Sequence, residues 1–423
     1  MRERSNGFHQ PQIEAIDPAA RRRQLASRLK DVAVAACTAS AAVAARFRDA
    51  GIDPASIGDP DDLDRLPILK KSELSRVQSA DPPLGGLATV ATSSFARLFV
   101  SPGPIYDPEG TGKDYWHLAA ALHAGGLRPG DIVQNTFSYH LTPAGLMFDT
   151  ALREMGCAVV PAGTGNTEIQ ARTMRDLSVT AYVGTPSFLV TILEKGREMG
   201  FELGRGGALE VAYVAGEMLS GALRRELETA WGLHVRQGYI TADVGTIAYE
   251  CGEKDGYHLH PETIVGIVDP DGKPLPAGEV GQVVVTSLKH GYPLFRFGTG
   301  DLSAVKQDPC PCGRTTPRLV GVLGRADEVT KVRGMFIHPG QVAEILARIA
   351  SGCRGQAVVT REGHQDRLLL RLVIPAEIGT TDAVGMAERA GRDVLKLRVE
   401  AEVITADQLG ERPKTIDDRR TWE

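Results

Sequence analysis

Apolar and polar positions change their period twice along the chain. From Ala19 to Phe47 arginine-rich and alanine-rich faces recur at helical spacing, which predicts one long helix that Gly51 to Pro54 breaks. Segments 59–66 and 70–77 predict two short helices separated at Pro67, and together these helices read as a lid on a larger core. Residues 88–100 form a strand-like run, followed by a stretch rich in proline and glycine, 101–113, and a helix, 114–125. Short apolar strands at 131–135, 159–160, 181–184, 211–215 and 235–239 then alternate with helical segments at 142–155, 169–177, 188–199 and 221–230. That β–α–β rhythm predicts a parallel sheet covered by helices. From Tyr249 the pattern turns antiparallel, with hairpin strands at 262–268 and 281–287 around a turn at Asp269–Gly272. After Asp327 come a hairpin (328–337), a helix (341–349), strands at 356–360 and 368–373, a helix (383–397) and a last strand (400–404). The fold class is therefore α/β. A large N-terminal domain, 1–327, has parallel and mixed sheets layered with helices plus a β subdomain, and a small α+β domain, 328–423, follows it.

Bulk composition narrows the function. At 423 residues the chain exceeds one ordinary core, in line with two domains. The hydrophobic share of 42% and charged share of 24% are those of a soluble globular protein. A net charge of -5 offers no broad basic field to nucleic acid or to an anionic membrane. With only 5% aromatic residues, a stacking platform for single strands is not expected either. No apolar run is long enough to cross a bilayer, and the polar N-terminus has no signal-peptide core. A cytoplasmic protein is expected, so its six cysteines read as thiols or ligands and not as disulfides.

Candidate chemistry concentrates between Leu294 and Glu328. Asp301 stands behind the turn Gly298-Thr299-Gly300, where a carboxylate can accept hydrogen bonds from sugar hydroxyls or cap the turn. Cys310 and Cys312, joined by Cys251 and His258, make a closed set of three thiolates and one imidazole of the structural zinc type. His260 could replace His258, and buried free thiols are the alternative. Arg325 and Asp327 lie in a charged turn between folded blocks, a place for a hinge. Asp243, four residues after Tyr239, could hold Mg²⁺ beside a phosphate with the tyrosine ring over a base, or could cap a helix. The stretch 101–113 offers a glycine-rich loop between strand and helix to phosphate, or is a rigid turn. Lys414 lies in a charged, loose-looking tail, 410–420, and reads either as a mobile phosphate-binding lysine or as an ordinary surface lysine.

Taken in order, these pieces resemble the adenylate-forming superfamily, and most closely its phenylacetate–CoA ligase branch. The resemblance covers nearly the whole chain. It is carried by Phe47 to Pro54, Asp62 to Leu74, Gly163 to Gln170, Thr185-Pro186-Ser187 and Ala215 to Met218. Further along it is carried by Tyr239 to Asp243, Pro293 to Leu302, Cys310 to Arg314, Gly324 to Asp327 and Lys331 to Gly334. It implies an enzyme that uses ATP to activate a carboxylic acid, in this branch aromatic, as an acyl-adenylate, and passes the acyl group to CoA after the small domain rotates. The alternatives are transfer to a carrier protein or an amine, and a nucleotide- or acyl-binding homologue without ATP turnover. The resemblance places Tyr239 on adenine, Asp243 on Mg²⁺, Asp301 on both ribose hydroxyls with Arg325 assisting, and Glu217 at the nucleotide. It makes Asp327 the hinge, Lys414 the adenylation lysine, Tyr139 and Ile240 walls of the acyl pocket, and the Cys251, His258, Cys310 and Cys312 set a structural zinc site. It also implies a homodimer. Two departures stand out. Asp243 replaces the family's glutamate. The stretch 101–110 carries Asp107 and Glu109 where the family has a loop of serine, threonine and glycine ending Gly-Lys-Pro, so like-charge repulsion toward a triphosphate is expected there.

Overall fold

The computed structural model describes residues 4, 7–101, 104–326, 330–332, 335–362, 365–410 and 413–420. The chain divides into two compact units: residues 1–299 with 304–322, and residues 300–303 with 323–423.

The first unit is built on a sheet of nine described strands. Its parallel half runs in the order Ala158–Pro161, Ile132–Asn135, Ala181–Gly184, Val211–Val214 and His234–Thr241. The three middle strands carry Val133, Ala181, Val183, Val211 and Val214, all fully buried, as expected for strands covered on both faces. After Thr241 the chain turns back antiparallel through Gly245–Glu250 and Tyr257–Leu259. The turn-back begins at Gly245, ahead of Tyr249 where the sequence pattern puts the change. A second sheet pairs Leu69–Lys70 in parallel with Leu294–Ser303 and continues through Gly281–Ser287 and Ile264–Val268.

The N-terminal helical run is two helices, Pro18–Ala39 and Ala41–Asp49, because Ser40 breaks the run. Ser40 has extended backbone, and its hydroxyl caps the second helix by accepting from Val43 N–H at 3.0 Å. Leu29, Ala33, Ala36, Val43 and Phe47 share one buried cluster with Val283, Val285, Phe295 and Phe297 of the second sheet. These helices are a wall of that core, where a lid was expected. Residues 88–100 are mostly not strand: only Arg97–Ser101 is extended.

The second unit contains a four-stranded sheet in the order Glu400–Val403, Gln365–Val373, Arg354–Glu362 and Ile416–Asp418, with helices Pro339–Ile349 and Thr380–Leu395. The charged tail, expected to be loose, supplies that last strand. Ile416, 3% exposed, enters the apolar cluster of this unit and pairs in parallel with Ala357. The buried isoleucine, the strand pairing and side-chain bonds from Gln356 and Thr330 together hold this polar segment. Among the described residues no helix is long and apolar enough to cross a membrane.

Candidate active site and metal centre

In an open parallel sheet, ligands bind beyond the carboxyl ends of the strands. Five predicted residues follow or end such strands. Beyond Ile132–Asn135, the half-buried Tyr139 hydroxyl accepts from Asn135 Nδ2 at 2.8 Å. Gly145 makes this placement possible, since a Cβ there would lie 2.5 Å from Ser138 O and 2.9 Å from the Tyr139 ring. Beyond Val211–Val214, the exposed Glu217 carboxylate accepts from Ser187 Oγ at 2.7 Å, and its carbonyl accepts from Gln237 Nε2 at 2.7 Å. Ser187 opens the helix Pro186–Glu198, so its hydroxyl is held at a helix N-terminus. Tyr239 and Ile240 lie near the end of His234–Thr241, either side of a register shift in its pairing with the next strand. That shift lets consecutive side chains join different cores. Tyr239 packs with Val244 and Ile247, and Ile240 packs against the cluster of Phe148 and Tyr213.

Asp243 is buried, and its Oδ2 accepts from Lys71 Nζ at 2.6 Å. Its Oδ1 is buried with no hydrogen-bond partner, an oxygen left over for a cation. Lys71 opens the helix Lys71–Ala80 and was not singled out from the sequence, although it lies inside a matched motif. Asp243 does not act as a helix cap: the next element is the strand Gly245–Glu250.

The stretch expected to form a glycine-rich phosphate loop departs most. Arg97–Ser101 and Ile105–Glu109 form a two-stranded antiparallel ribbon. Alternation at Ile105, Asp107 and Glu109 places all three inward, 4%, 1% and 2% exposed. Glu109 is neutralised by Arg97 Nη1 at 2.9 and 3.0 Å, and Asp107 is hydrogen-bonded by Ser101 Oγ. Neither acid projects as a free charge on a loop. Burial, then the neighbouring Asp243 carboxylate, pushes the Asp107 carboxyl up to about 7. Lys289, a second unanticipated cation, lies buried with Nζ 3.7 Å from the centre of the Trp116 ring and no hydrogen-bond partner. Burial holds its ammonium well below the usual range, while Asp107 and Asp243 pull in the opposite direction.

A pH dependence follows. Asp107 binds its proton more tightly folded than unfolded, so its share of stability is complete below about pH 4 and is lost as pH rises through about 7. Asp107→Asn is therefore expected to flatten the fall in melting temperature over that window. Equal slopes in the two proteins would assign the titration elsewhere.

In the second unit, Asp301 and Arg325 face each other across an antiparallel pair, and Arg325 Nη1 donates to Asp301 Oδ1 at 2.9 Å. Gly300 has φ +80°, and a Cβ there would lie 2.5 Å from the Arg325 guanidinium, so glycine is what lets the arginine approach. Lys414 is exposed and lies two residues before the edge strand Ile416–Asp418. Its carbonyl accepts from Gln356 Nε2 at 2.9 Å, and this fixes the backbone without tying down the amine. Asp327 lies outside the described residues.

Cys251, His258, Cys310 and Cys312 come together, with all four ligand atoms within 4.8 Å of one another. Cys251 Sγ is 3.8 Å from Cys310 Sγ, and Cys312 Sγ is 3.3 Å from His258 Nε2. Tetrahedral zinc with Zn–S of ~2.3 Å requires sulfur atoms about 3.8 Å apart, so the donor set fits that ion. The other ring nitrogen of His258 lies 3.3 Å from Thr316 O, and Arg314 N–H donates to Cys312 Sγ at 3.4 Å, the outer-shell bonds a zinc ligand set uses. The Cys312 thiol is pushed down by hydrogen bonding to Cys251 and then to His258. His260 stands elsewhere, beside His117.

Against known proteins, residues 139–289 match the AMP-binding enzyme family model. The phenylacetate-coenzyme A ligase of Thermus thermophilus is 33% identical over 343 residues, 77% of this chain and 75% of that protein. The chain belongs to the phenylacetate–CoA ligase family. The family member of Escherichia coli is 29% identical, over 77% of this chain and 76% of its own. Among solved structures, an open conformation of 2-hydroxyisobutyryl-CoA ligase with 2-HIB-AMP and CoA superposes with TM-score 0.85 at 24% identity, covering 96% of this chain and 94% of that one. The postadenylation state of that ligase with 2-HIB-AMP superposes with TM-score 0.77 at 25% identity, covering 97% and 92%.

Proposed function

We propose that this chain is an ATP-dependent ligase that joins an aromatic carboxylic acid to CoA through an acyl-adenylate. The observation that carries the reading is the row of polar groups at the carboxyl ends of one parallel sheet in a phenylacetate–CoA ligase family member: Tyr139, Glu217, Tyr239 and Asp243. A carboxylate is a poor acyl donor because oxide would have to leave. Attack of its oxygen on the α-phosphorus of ATP breaks the bond to pyrophosphate and leaves a mixed anhydride. The CoA sulfur then attacks the carbonyl carbon, and AMP leaves with the bonding pair.

In this reading Tyr239 stacks on adenine, Asp301 takes the ribose hydroxyls with Arg325 holding the carboxylate, and Glu217 orients the nucleotide. The unpartnered Asp243 Oδ1 is the oxygen that would hold Mg²⁺, which when bound offsets phosphate charge. Asp243 is one methylene shorter than glutamate, and Lys71 supplies a second cation beside it. Tyr139 and Ile240 border the acyl site together with Phe137, stacked on Phe148 at 4.7 Å between ring centroids. Residues 328–423 form the cap that turns about Asp327 and carries Lys414 to the α-phosphate. Zinc on Cys251, His258, Cys310 and Cys312 ties two loops together and leaves no open position for catalysis.

The test is a panel of aromatic and short aliphatic acids with ATP, Mg²⁺ and CoA, followed by mass detection of thioester and of AMP. Thioester with an aryl acid is expected. Adenylate that accumulates and ignores CoA would shift the acceptor to a carrier protein or an amine. The ribbon of Arg97–Ser101 and Ile105–Glu109, where a glycine loop is expected, favours a second reading, a nucleotide-binding homologue without turnover. AMP binding by calorimetry without product from any acid would select it.

A further inference from the structure

We infer that His117, His260 and Glu262 form a second metal site, for a divalent first-row transition ion of the zinc type, opening onto a cavity apart from the thiolate set. His117 Nδ1 lies 3.4 Å from His260 Nδ1 and 3.4 Å from Glu262 Oε2, and all three ligand atoms are within 4.8 Å of one another. An ion with ligand distances of ~2.1 Å in tetrahedral geometry sets its ligands about 3.4 Å apart, whereas octahedral geometry sets them about 3.0 Å apart. Both measured separations take the tetrahedral value.

Three elements hold the set in place. His117 has φ +58°, a backbone state that costs a non-glycine residue energy and is kept only where its surroundings fix it. The fixing bonds are on both sides: Thr246 N–H donates to Trp116 O at 3.0 Å, and the Asp114 carboxylate accepts from Leu118 and Ala119 N–H at 2.7 and 2.9 Å. His260 follows the strand Tyr257–Leu259 and is 3% exposed. Its backbone N–H donates to Ile247 O at 2.9 Å, and its Nδ1 lies 3.3 Å from Glu262 N–H, a long contact that ligation through the same lone pair would replace. Glu262 uses Oε1 for Arg28 and presents Oε2 to His117, which is how a ligating carboxylate is oriented from its outer side. Burial holds both imidazoles below their usual range, leaving neutral nitrogen lone pairs at neutral pH.

A fourth vertex faces a cavity of about 270 Å³ that is also lined by His9, Lys113 and Asp114. A water molecule or a small anion would complete the coordination there. Arg28 and Lys113 oppose a cation at this place, and Glu262 and Asp114 favour one, so affinity rests on the two nitrogens. A plain hydrogen bond between the two rings explains one of the 3.4 Å separations but not the convergence of the carboxylate on the same point.

The probe is Co²⁺, titrated into the protein as purified and followed by visible absorption and native mass spectrometry. One further equivalent is expected, with the weak bands of nitrogen and oxygen ligation and no thiolate-to-cobalt charge transfer. Glu262→Gln, which keeps shape and the bond to Arg28, should weaken binding at least about tenfold, and His117→Asn should abolish it. Should His117→Asn fail to fold, the Glu262→Gln shift carries the test. Cobalt entering only with the charge-transfer band, or bound equally by Glu262→Gln and wild type, would overturn the site. No ATP or acid is present, so the result is independent of the ligase reading.

Discussion

Lys414→Ala is expected to slow acyl-adenylate formation by about 10²–10³-fold, the usual cost of removing one preorganised donor from developing oxyanion charge. The lysine is exposed and precedes an edge strand whose backbone bonds survive the change, so melting temperature and AMP affinity should hold at wild-type values. Thioester formation from a synthetic acyl-adenylate should also survive, because that half-reaction has no pyrophosphate leaving group to stabilise. Single-turnover measurements of the two half-reactions separate these effects. Equal loss in both would make Lys414 a residue of the fold, and no loss in either would remove it from the mechanism.

Cys312→Ser is expected to empty the thiolate centre and lower the melting temperature by about 4–5 °C, which corresponds to about 3 kcal/mol for a unit of this size. The loss would arise because the remaining thiols and His258 keep their burial without an ion to compensate it. Cys251 and Cys310 are both buried, so they cannot recover the difference from water. Metal analysis and scanning calorimetry on the same sample check both halves. Wild-type protein that contains no zinc, or that melts unchanged after chelation, would reduce the set to buried thiols.

Much of this architecture was legible because local pattern and global fold agree. The parallel strands are short apolar runs bounded by turn residues, and the antiparallel turn-back begins at Gly245, close to the change of pattern read at Tyr249. The thiolate set was legible because soft ligands are rare enough to be counted. Lys71 was not, since a lysine at a helix start looks like any solvated lysine until the fold brings Asp243 to it over 172 positions. Lys289 was hidden for the same reason. Residues 105–109 misled because the surrounding prolines and glycines signal a loop, whereas inward alternation of Ile105, Asp107 and Glu109 is a strand signal masked by two acidic residues. Paired burial with Ser101 and Arg97 makes those acids tolerable, and neither partner is visible from spacing alone. The tail around Lys414 misled through its charge. One buried isoleucine and the side-chain bonds of Gln356 and Thr330 hold that segment, and composition averages them away. Ser40 was readable in principle, since a serine followed by an apolar helical face is an N-cap signal.

The most direct measurement is exchange of labelled pyrophosphate into ATP with Mg²⁺ and an aromatic acid, in the absence of CoA. This account predicts label in ATP that depends on the acid, and its replacement by AMP and acyl-CoA once CoA is added. Absence of exchange with every acid offered, from protein that still binds AMP, would contradict it.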